Sequence, residues 1–247
     1  MYENQFAGTS VPRTVKAQAK RPRRSRGQAA SARTDTRQAL IWCGTELLTE
    51  RGFHAIGIDE VLKLVGVPKG SFYHFFESKQ AFLEAVIENC REYYRNKYEG
   101  ILLNPNQAPL DRIRDFVAQA IVGMEKFGFK RGCLVGNLGQ ELASMDNHIG
   151  SILDEIMMSW EETLRKCLQE AVANGDLLAG TDVKRLAQFF FTGWQGAVLR
   201  SKLKKSGEPL TLFVNVFLDS LCAKRADTTL PLADLTISRR PYRSQGS

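Results

Sequence analysis

Residues 57–79 read GIDEVLKLVGVPKGSFYHFFESK, and this stretch decides the fold of the 247-residue chain. Its apolar residues first recur at helical spacing, which predicts a short helix that ends at Gly66. Val67 and Pro68 then form a tight turn, and proline is favoured in the first turn of the helix that follows it. Two short helices joined by such a turn are typical of a helix-turn-helix, here at about residues 57–76.

The second helix of this pair has the features of a helix that reads DNA. It begins with Gly70 and Ser71, whose small size allows close approach to base edges and phosphates. Tyr73 and His74 follow on the side that we expect to be exposed. An ordinary αα-hairpin in a helical bundle has the same pattern, so the pattern alone leaves both interpretations open.

The rest of the chain predicts an all-α protein of about nine helices, without period-two strands and without an internal repeat. Thr34 is placed to cap the first helix, which ends before Gly52, and Ser78 is placed to cap a long fourth helix. Apolar residues at helical spacing predict later helices over residues 109–127, 133–145, 147–173, 182–203 and 209–223.

The net charge of +7 resides in the N-terminal segment, residues 1–33, while the remainder of the chain is neutral. This segment has almost no large apolar residues, so we expect a disordered basic arm, with its charge concentrated at Arg21, Arg23, Arg24 and Arg26. The helix-turn-helix region is slightly acidic, and DNA affinity depends on phosphate neutralisation. We therefore expect the arm to lie along a neighbouring groove of DNA; the alternatives are an arm that only aids solubility and a misassigned start.

Composition excludes several other classes of protein. The sequence has no apolar stretch of transmembrane length and no secretory signal. Pro12, Pro22 and the Arg23-Arg24 pair disfavour an amphipathic transit peptide. Five widely spaced cysteines argue against a disulfide framework and a metal site, so we expect a cytoplasmic protein with no metal and no cofactor.

Residues 34–82 resemble the DNA-binding domain of the TetR family of transcriptional regulators. The resemblance rests on Arg51-Gly52-Phe53, on Ile58-Asp59-Glu60-Val61 and, most specifically, on residues 66–79. It implies DNA contacts from the second helix of the pair and from the start of the next helix. The residues concerned are Lys69, Ser71, Tyr73 and His74, with Lys79 on a phosphate.

Gly57 departs from this family pattern, which usually has Thr or Ser at the cap of the second helix. Glycine is a tolerated cap, but it lacks the hydroxyl that could contact a phosphate. We keep Gly57 and Gly70 among the candidate DNA-binding residues.

The family resemblance also implies a division of the chain into functional parts. Residues 34–94 would bind DNA, residues 95–223 would bind a small-molecule effector and form a homodimer, and residues 224–247 would be a flexible tail. A dimer suits a palindromic operator on double-stranded DNA. The last two helices are strongly apolar, which suits either a dimer interface or an internal core.

Cys133 is the candidate sensor residue. It follows Lys130-Arg131-Gly132 and begins a helix, and nearby cations and a helix N-terminus both favour a thiolate. A thiolate could react with electrophiles or oxidants. The alternative is a small buried residue, which is what most free cysteines are.

Residues 131–142 also resemble a TetR subgroup that includes NemR-like and AcuR-like regulators, with the AcuR-like version nearest. That subgroup controls detoxification of reactive electrophiles and breakdown of acrylate and dimethylsulfoniopropionate. The resemblance implies a repressor released by a small unsaturated acid or an electrophile. The candidate effector residues are Arg131, Cys133, Asn137, Trp160 and Trp194, with Arg165 as a second possible partner for an acid.

Two other classes of function find little support. The three histidines have no spacing typical of a catalytic triad or metal site, and no oxyanion loop accompanies Cys133, so we expect no enzyme activity and no catalytic residue. A helical interaction module would not need the block of residues 69–79, and it would not retard its own upstream DNA.

Overall fold

The computed structural model describes the backbone of residues 26–223 and the side chains of residues 33–221. Arg21, Arg23 and Arg24 of the predicted arm, the Arg26 side chain and the predicted tail lie outside these residues, so disorder of residues 1–25 and of the tail stays a prediction. The predicted disorder of residues 26–33 is wrong, because these residues form the start of a helix. Within the described backbone, every regular element is a helix, and this confirms the all-α prediction.

The described chain contains eight α-helices and one 3₁₀ helix. They are α1 (Arg26–Arg51), α2 (Ile58–Val65), the 3₁₀ helix (Lys69–His74), α3 (Lys79–Leu102), α4 (Pro109–Lys126), α5 (Leu134–Leu142), α6 (Asn147–Ala173), α7 (Val183–Lys204) and α8 (Glu208–Ala223). The chain divides into two compact units after Gln38, and the second unit holds the helix-turn-helix and all later helices.

Helix α1 begins earlier than the sequence pattern predicts. The expected cap, Thr34, lies inside the helix, which starts at Arg26. The intervening residues 27–32 contain three alanines. Alanine has the highest helix propensity, so the helix continues through a residue that could have capped it.

Local start and stop signals fix the other boundaries. Gly66 ends α2 in the left-handed conformation with a φ of 75°, as a glycine C-cap does. Ser78 caps α3 by accepting a hydrogen bond from the backbone N–H of Ala81. Pro109 lies in the first turn of α4, and Asp182 caps α7.

The helix-turn-helix shares one aromatic core with α3. Val61 and Leu62 of α2 are buried together with Phe72, Phe76 and Phe82. The ring centroids of Phe72 and Phe76 lie 5.8 and 5.0 Å from that of Phe82. The 3₁₀ helix is therefore anchored by Phe72 within it and by Phe76 just after it, and this anchoring decides which residues face outward.

Most of the apolar residues that could form a dimer interface on α7 and α8 are instead buried within the chain. Phe190, Leu210 and Phe217 are almost fully buried, and a Cβ at Gly193 would lie 2.5 Å from the Phe213 ring. A separate set of large apolar side chains on these two helices is exposed: Phe189, Leu199, Leu203, Leu212 and Val216.

No helix in the described part of the chain is both long and apolar enough to cross a membrane. Within the same residues, no three metal-ligating side chains come together.

Candidate functional site

The 3₁₀ helix presents a small polar and aromatic surface. Phe72 is fully buried, which turns Tyr73 and His74 outward, and Tyr73 is 70% exposed. Gly70 is exposed and has open space around it, while Ser71 is half-buried. The predicted reading residues therefore come together on one face, where base edges and phosphates can approach them.

Lys69 is paired with an acid on this surface. Its ammonium lies 2.6 Å from a carboxylate oxygen of Asp59, and both side chains are exposed. The hydrogen bond with Asp59 raises the pKa of Lys69. An exposed pair of this kind is weak, so a DNA phosphate can displace Asp59.

Lys79 holds the loop that joins α1 to α2. Its ammonium donates to the Phe53 carbonyl at 3.2 Å and lies 4.2 Å from the centroid of the Phe53 ring. The predicted phosphate contact of Lys79 stays a prediction. The structure adds a second role, because the same side chain ties the start of α3 to Phe53.

Gly57 occupies the N-cap position of α2, as the motif implies. Its φ of −89° and ψ of 141° are extended values that any residue adopts, and a Cβ there meets nothing within 4 Å. No side chain caps α2. The position can therefore accept the Thr or Ser that is usual in the family.

A set of polar contacts, which we call the α5 bridge, joins α5 and the loop before it to α1 and to the loop that follows α1. Arg131 Nε donates to Glu50 at 2.8 Å, and its Nη1 lies 3.3 Å from Glu46. Asn137 donates from Nδ2 to the Thr49 carbonyl at 3.0 Å. Two of the predicted effector residues, Arg131 and Asn137, thus contact α1, the helix that precedes the helix-turn-helix.

Glu141 completes the α5 bridge, and the sequence reasoning missed it. Its two carboxylate oxygens accept the backbone N–H groups of Phe53 and His54 at 2.7 Å each, and His54 Nδ1 lies 2.7 Å from one of them. Burial raises the pKa of Glu141, but these hydrogen bonds outweigh it and hold the pKa below its usual value. Gly52 has a φ of 81°, and a Cβ there would lie 2.5 Å from the carboxylate.

One signal could have pointed to Glu141. It lies four residues after Asn137, so the two polar side chains share one face of a helix whose other residues are largely apolar. A polar pair on an otherwise apolar short helix indicates a buried polar contact, although not its partner.

Neither arginine predicted to meet an acidic effector has an unpaired guanidinium. Arg131 is neutralised by Glu46 and Glu50 and lies over the Phe127 ring, 3.8 Å from its centroid. Arg165 is bound to Glu162 on the exposed side of α6. An acidic effector would have to displace these carboxylates.

Cys133 caps α5, and its surroundings favour a neutral thiol over a thiolate. Its sulfur accepts from the Gly136 N–H at 3.4 Å, and Gln195 Nε2 lies 3.6 Å away. Burial outweighs these hydrogen bonds and raises the pKa of the Cys133 thiol. Arg131 turns toward α1 instead, so the sequence neighbour that was expected to stabilise a thiolate is committed elsewhere.

Trp160 and Trp194 lie in a buried aromatic cluster formed by α3, α4, α6 and α7. Tyr98 lies 5.3 Å from Trp160, and Phe116 lies 4.9 Å from Trp194, between ring centroids. Burial raises the pKa of Tyr98 and of its neighbour Tyr94. Gln195, whose Nε2 lies 3.6 Å from the Cys133 sulfur, directly follows Trp194 in α7. The structure therefore brings Cys133 and both tryptophans into one region.

Two family profiles match the chain. The profile for bacterial regulatory proteins of the tetR family matches residues 43–86, and the profile for the tetracyclin repressor-like C-terminal domain matches residues 109–217.

Individual relatives match over most of their own length. The chain is 41% identical over 197 residues to the transcriptional regulator AcuR of Cereibacter sphaeroides, which covers 80% of this chain and 90% of that protein. It is 32% identical over 176 residues to the transcriptional repressor NemR of Escherichia coli, which covers 71% of this chain and 88% of that protein.

Two solved structures are also similar to the chain. The chain is similar to the regulatory protein TetR from Rhodobacter sphaeroides, with a TM-score of 0.72, 41% identity and coverage of 74% of this chain and 97% of that one. It is also similar to the reduced form of E. coli NemR, with a TM-score of 0.68, 31% identity and coverage of 74% and 95%. These matches support the predicted AcuR-like and NemR-like subgroup and a regulator rather than an enzyme. The chain belongs to the TetR family of bacterial transcriptional regulators.

Proposed function

We propose that this protein is a cytoplasmic, homodimeric repressor that binds a palindromic operator and leaves it when a small-molecule effector binds. In this proposal residues 34–94 bind DNA, and residues 95–223 bind the effector and form the dimer. The observation that carries the proposal is the exposed face of the 3₁₀ helix, where Tyr73 and His74 project from a helix anchored by Phe72.

Dimerisation is supported by the apolar surface on α7 and α8. Phe189 is 61% exposed, and Leu203, Leu212 and Val216 are also exposed on the same two helices. Large exposed apolar side chains on adjacent helices are typical of an interface with a partner. A second copy of the same surface gives a two-fold dimer, and a two-fold dimer places two reading helices on the two halves of a palindrome.

The α5 bridge supports a route from the effector to DNA. Cys133 caps the start of α5 and lies beside Gln195 of α7, and Glu141, in the last turn of α5, accepts hydrogen bonds from the backbone of Phe53 and His54. An effector that prefers a shifted position of α5 would move the start of the helix-turn-helix. Only such a difference in affinity between two conformations can release the operator.

For the effector we propose a small unsaturated acid such as acrylate, in keeping with the resemblance to the AcuR-like subgroup. Covalent modification of Cys133 by an electrophile is the alternative. The raised pKa of Cys133 disfavours it, because the thiolate is the reactive form.

The test is an electrophoretic mobility shift of DNA from upstream of the protein's own gene, with acrylate or a thiol-reactive maleimide added. We expect retardation by the wild-type protein and release by acrylate in both the wild type and Cys133→Ser. Release by acrylate in the wild type but not in Cys133→Ser would favour covalent sensing. Failure to retard the upstream DNA would contradict the repressor proposal.

A further inference from the structure

Lys97 lies on the core-facing side of α3. It follows Cys90 by seven residues and Tyr94 by three, and residues at this spacing share one side of a helix. Cys90 and the adjacent Tyr98 are both buried. Lys97 itself is half-buried, so its stem runs along the same side of α3 as the tyrosines.

No described residue forms an ion pair or a hydrogen bond with the Lys97 ammonium. Burial therefore acts unopposed and lowers its pKa. Several arginines on α3 to α6 have carboxylate partners instead: Arg91 with Glu88 and Glu155, Arg112 with Glu170, Arg131 with Glu46 and Glu50, and Arg165 with Glu162. A partly buried cation without such a partner is costly, and it is a candidate for binding an anion.

The neighbouring tyrosines offer two hydroxyl groups. Tyr98 is only 7% exposed, and the Tyr94 and Tyr98 rings lie 5.9 and 5.3 Å from Trp160, between centroids. Within the described chain, neither hydroxyl has a hydrogen-bond partner. Neither oxygen is among the fully buried polar atoms that lack a partner, so both hydroxyls are accessible to a ligand.

We propose that Lys97, with the hydroxyls of Tyr94 and Tyr98, forms the anion subsite of the effector pocket and selects small monocarboxylic acids. One positive charge suits one carboxylate, and the aromatic rings of Tyr98 and Trp160 suit a short apolar tail. This proposal rests on the proposed effector-controlled function and assigns the charge of its ligand.

The test uses thermal unfolding of the full-length protein with propionate and, at matched ionic strength, with its neutral analogue propionamide. Neither probe has a carbon–carbon double bond, so neither can alkylate cysteine. We expect a saturable rise of the melting temperature with propionate, and little with propionamide. In Lys97→Met the half-saturating concentration should rise about tenfold or more, as expected for the loss of a charge-assisted hydrogen bond.

Two further variants keep the test specific. Lys166→Met removes an equal charge from an exposed position on α6 and should respond as the wild type does. Tyr98→Phe removes one hydroxyl from the subsite and should weaken the response to propionate less than Lys97→Met does. Without ligand, Lys97→Met should melt no lower than the wild type, because it removes a charge that has no partner.

Three results would overturn the subsite: an equal response to propionate in the wild type and Lys97→Met, an equal response to propionate and propionamide, or no response in the wild type. None of these depends on operator binding, which is measured without acid. A protein that responds to propionate but does not retard its upstream DNA would contradict the repressor function and leave the subsite standing.

Discussion

The surface proposed to read DNA and the α5 bridge differ in how their parts are held together. The former, which we call the reading surface, consists of Gly57, Lys69, Gly70, Ser71, Tyr73, His74 and Lys79. Every residue of the reading surface lies between Gly57 and Lys79, and a buried aromatic anchor within that stretch orients it. The α5 bridge joins groups that are far apart in sequence, since Glu141 binds the backbone of Phe53, 88 residues earlier. A surface built from neighbouring residues can be recognised as a sequence motif. The α5 bridge cannot, because its contacts join residues that are distant in sequence.

The largest expected effect follows from damage to the reading surface alone. Ser71→Ala combined with Tyr73→Ala should reduce operator affinity by about a hundredfold, because base-reading contacts contribute about 1–3 kcal/mol each. Fluorescence anisotropy with labelled operator measures this. The fold and the dimer should be unchanged, since Tyr73 is exposed.

A matched control for this double variant is Val122→Ala, which removes another exposed apolar side chain from α4. It should bind the operator as the wild type does. Equal operator affinity in the double variant and the wild type would mean that the 3₁₀ helix does not read DNA.

The next effect concerns the α5 bridge. Glu141→Gln should lower the free energy of unfolding by about 1–2 kcal/mol at neutral pH, because it removes charge-assisted hydrogen bonds to two backbone N–H groups. It should also narrow the difference in operator affinity between effector-free and effector-bound protein. Urea unfolding of the wild type and the variant gives the stability difference.

The pH dependence of that difference has a definite sign. The pKa of Glu141 is lower in the folded protein, so its contribution is fully present above the unfolded carboxyl pKa, about 4.3. It is lost as the pH falls through the folded pKa. A stability difference that stays constant from pH 7 to about pH 3 would contradict the assigned role of the carboxylate. Glu162→Gln, on the exposed side of α6, is the control and should change stability little.

The basic arm should affect operator binding mainly through salt dependence. Deletion of residues 1–32 should reduce the slope of log affinity against log salt by about 0.9 for each phosphate that the arm neutralises. The specificity for operator over random DNA should change less. An unchanged slope would mean that the arm does not neutralise DNA phosphates.

The smallest expected effect is a gain in stability and in operator affinity when Gly57 is replaced. Gly57→Thr should stabilise the protein by a few tenths of a kcal/mol and raise operator affinity a few-fold, because it adds a cap to α2 and a hydroxyl within reach of a phosphate. The control is Gly57→Ala, which adds a methyl group without the hydroxyl. An equal gain in both variants would exclude the hydroxyl as its source.

The sequence predicted the helices well because their boundaries depend on local signals. Gly66, Ser78, Pro109 and Asp182 each act through their own backbone or the next turn. The predicted start of α1 was wrong because a possible cap at Thr34 was outweighed by helix propensity on both sides of it.

The candidate effector site was less predictable because its chemistry depends on burial and on distant partners. The sequence left a thiolate and a buried thiol open for Cys133, and the structure favours the thiol because Arg131 pairs with Glu50 and Cys133 is partly buried. Lys97 belongs to no sequence motif. It stands out only because no described residue forms an ion pair or a hydrogen bond with its ammonium. These properties emerge only when the helices pack.

The most direct test of the switch is a measurement of reciprocal coupling. Operator affinity is measured with and without saturating acrylate, and acrylate affinity is measured with and without saturating operator. We predict that both affinities fall by the same factor, because coupling between two sites is reciprocal. Acrylate that binds equally well to the protein alone and to the protein on its operator would contradict the account.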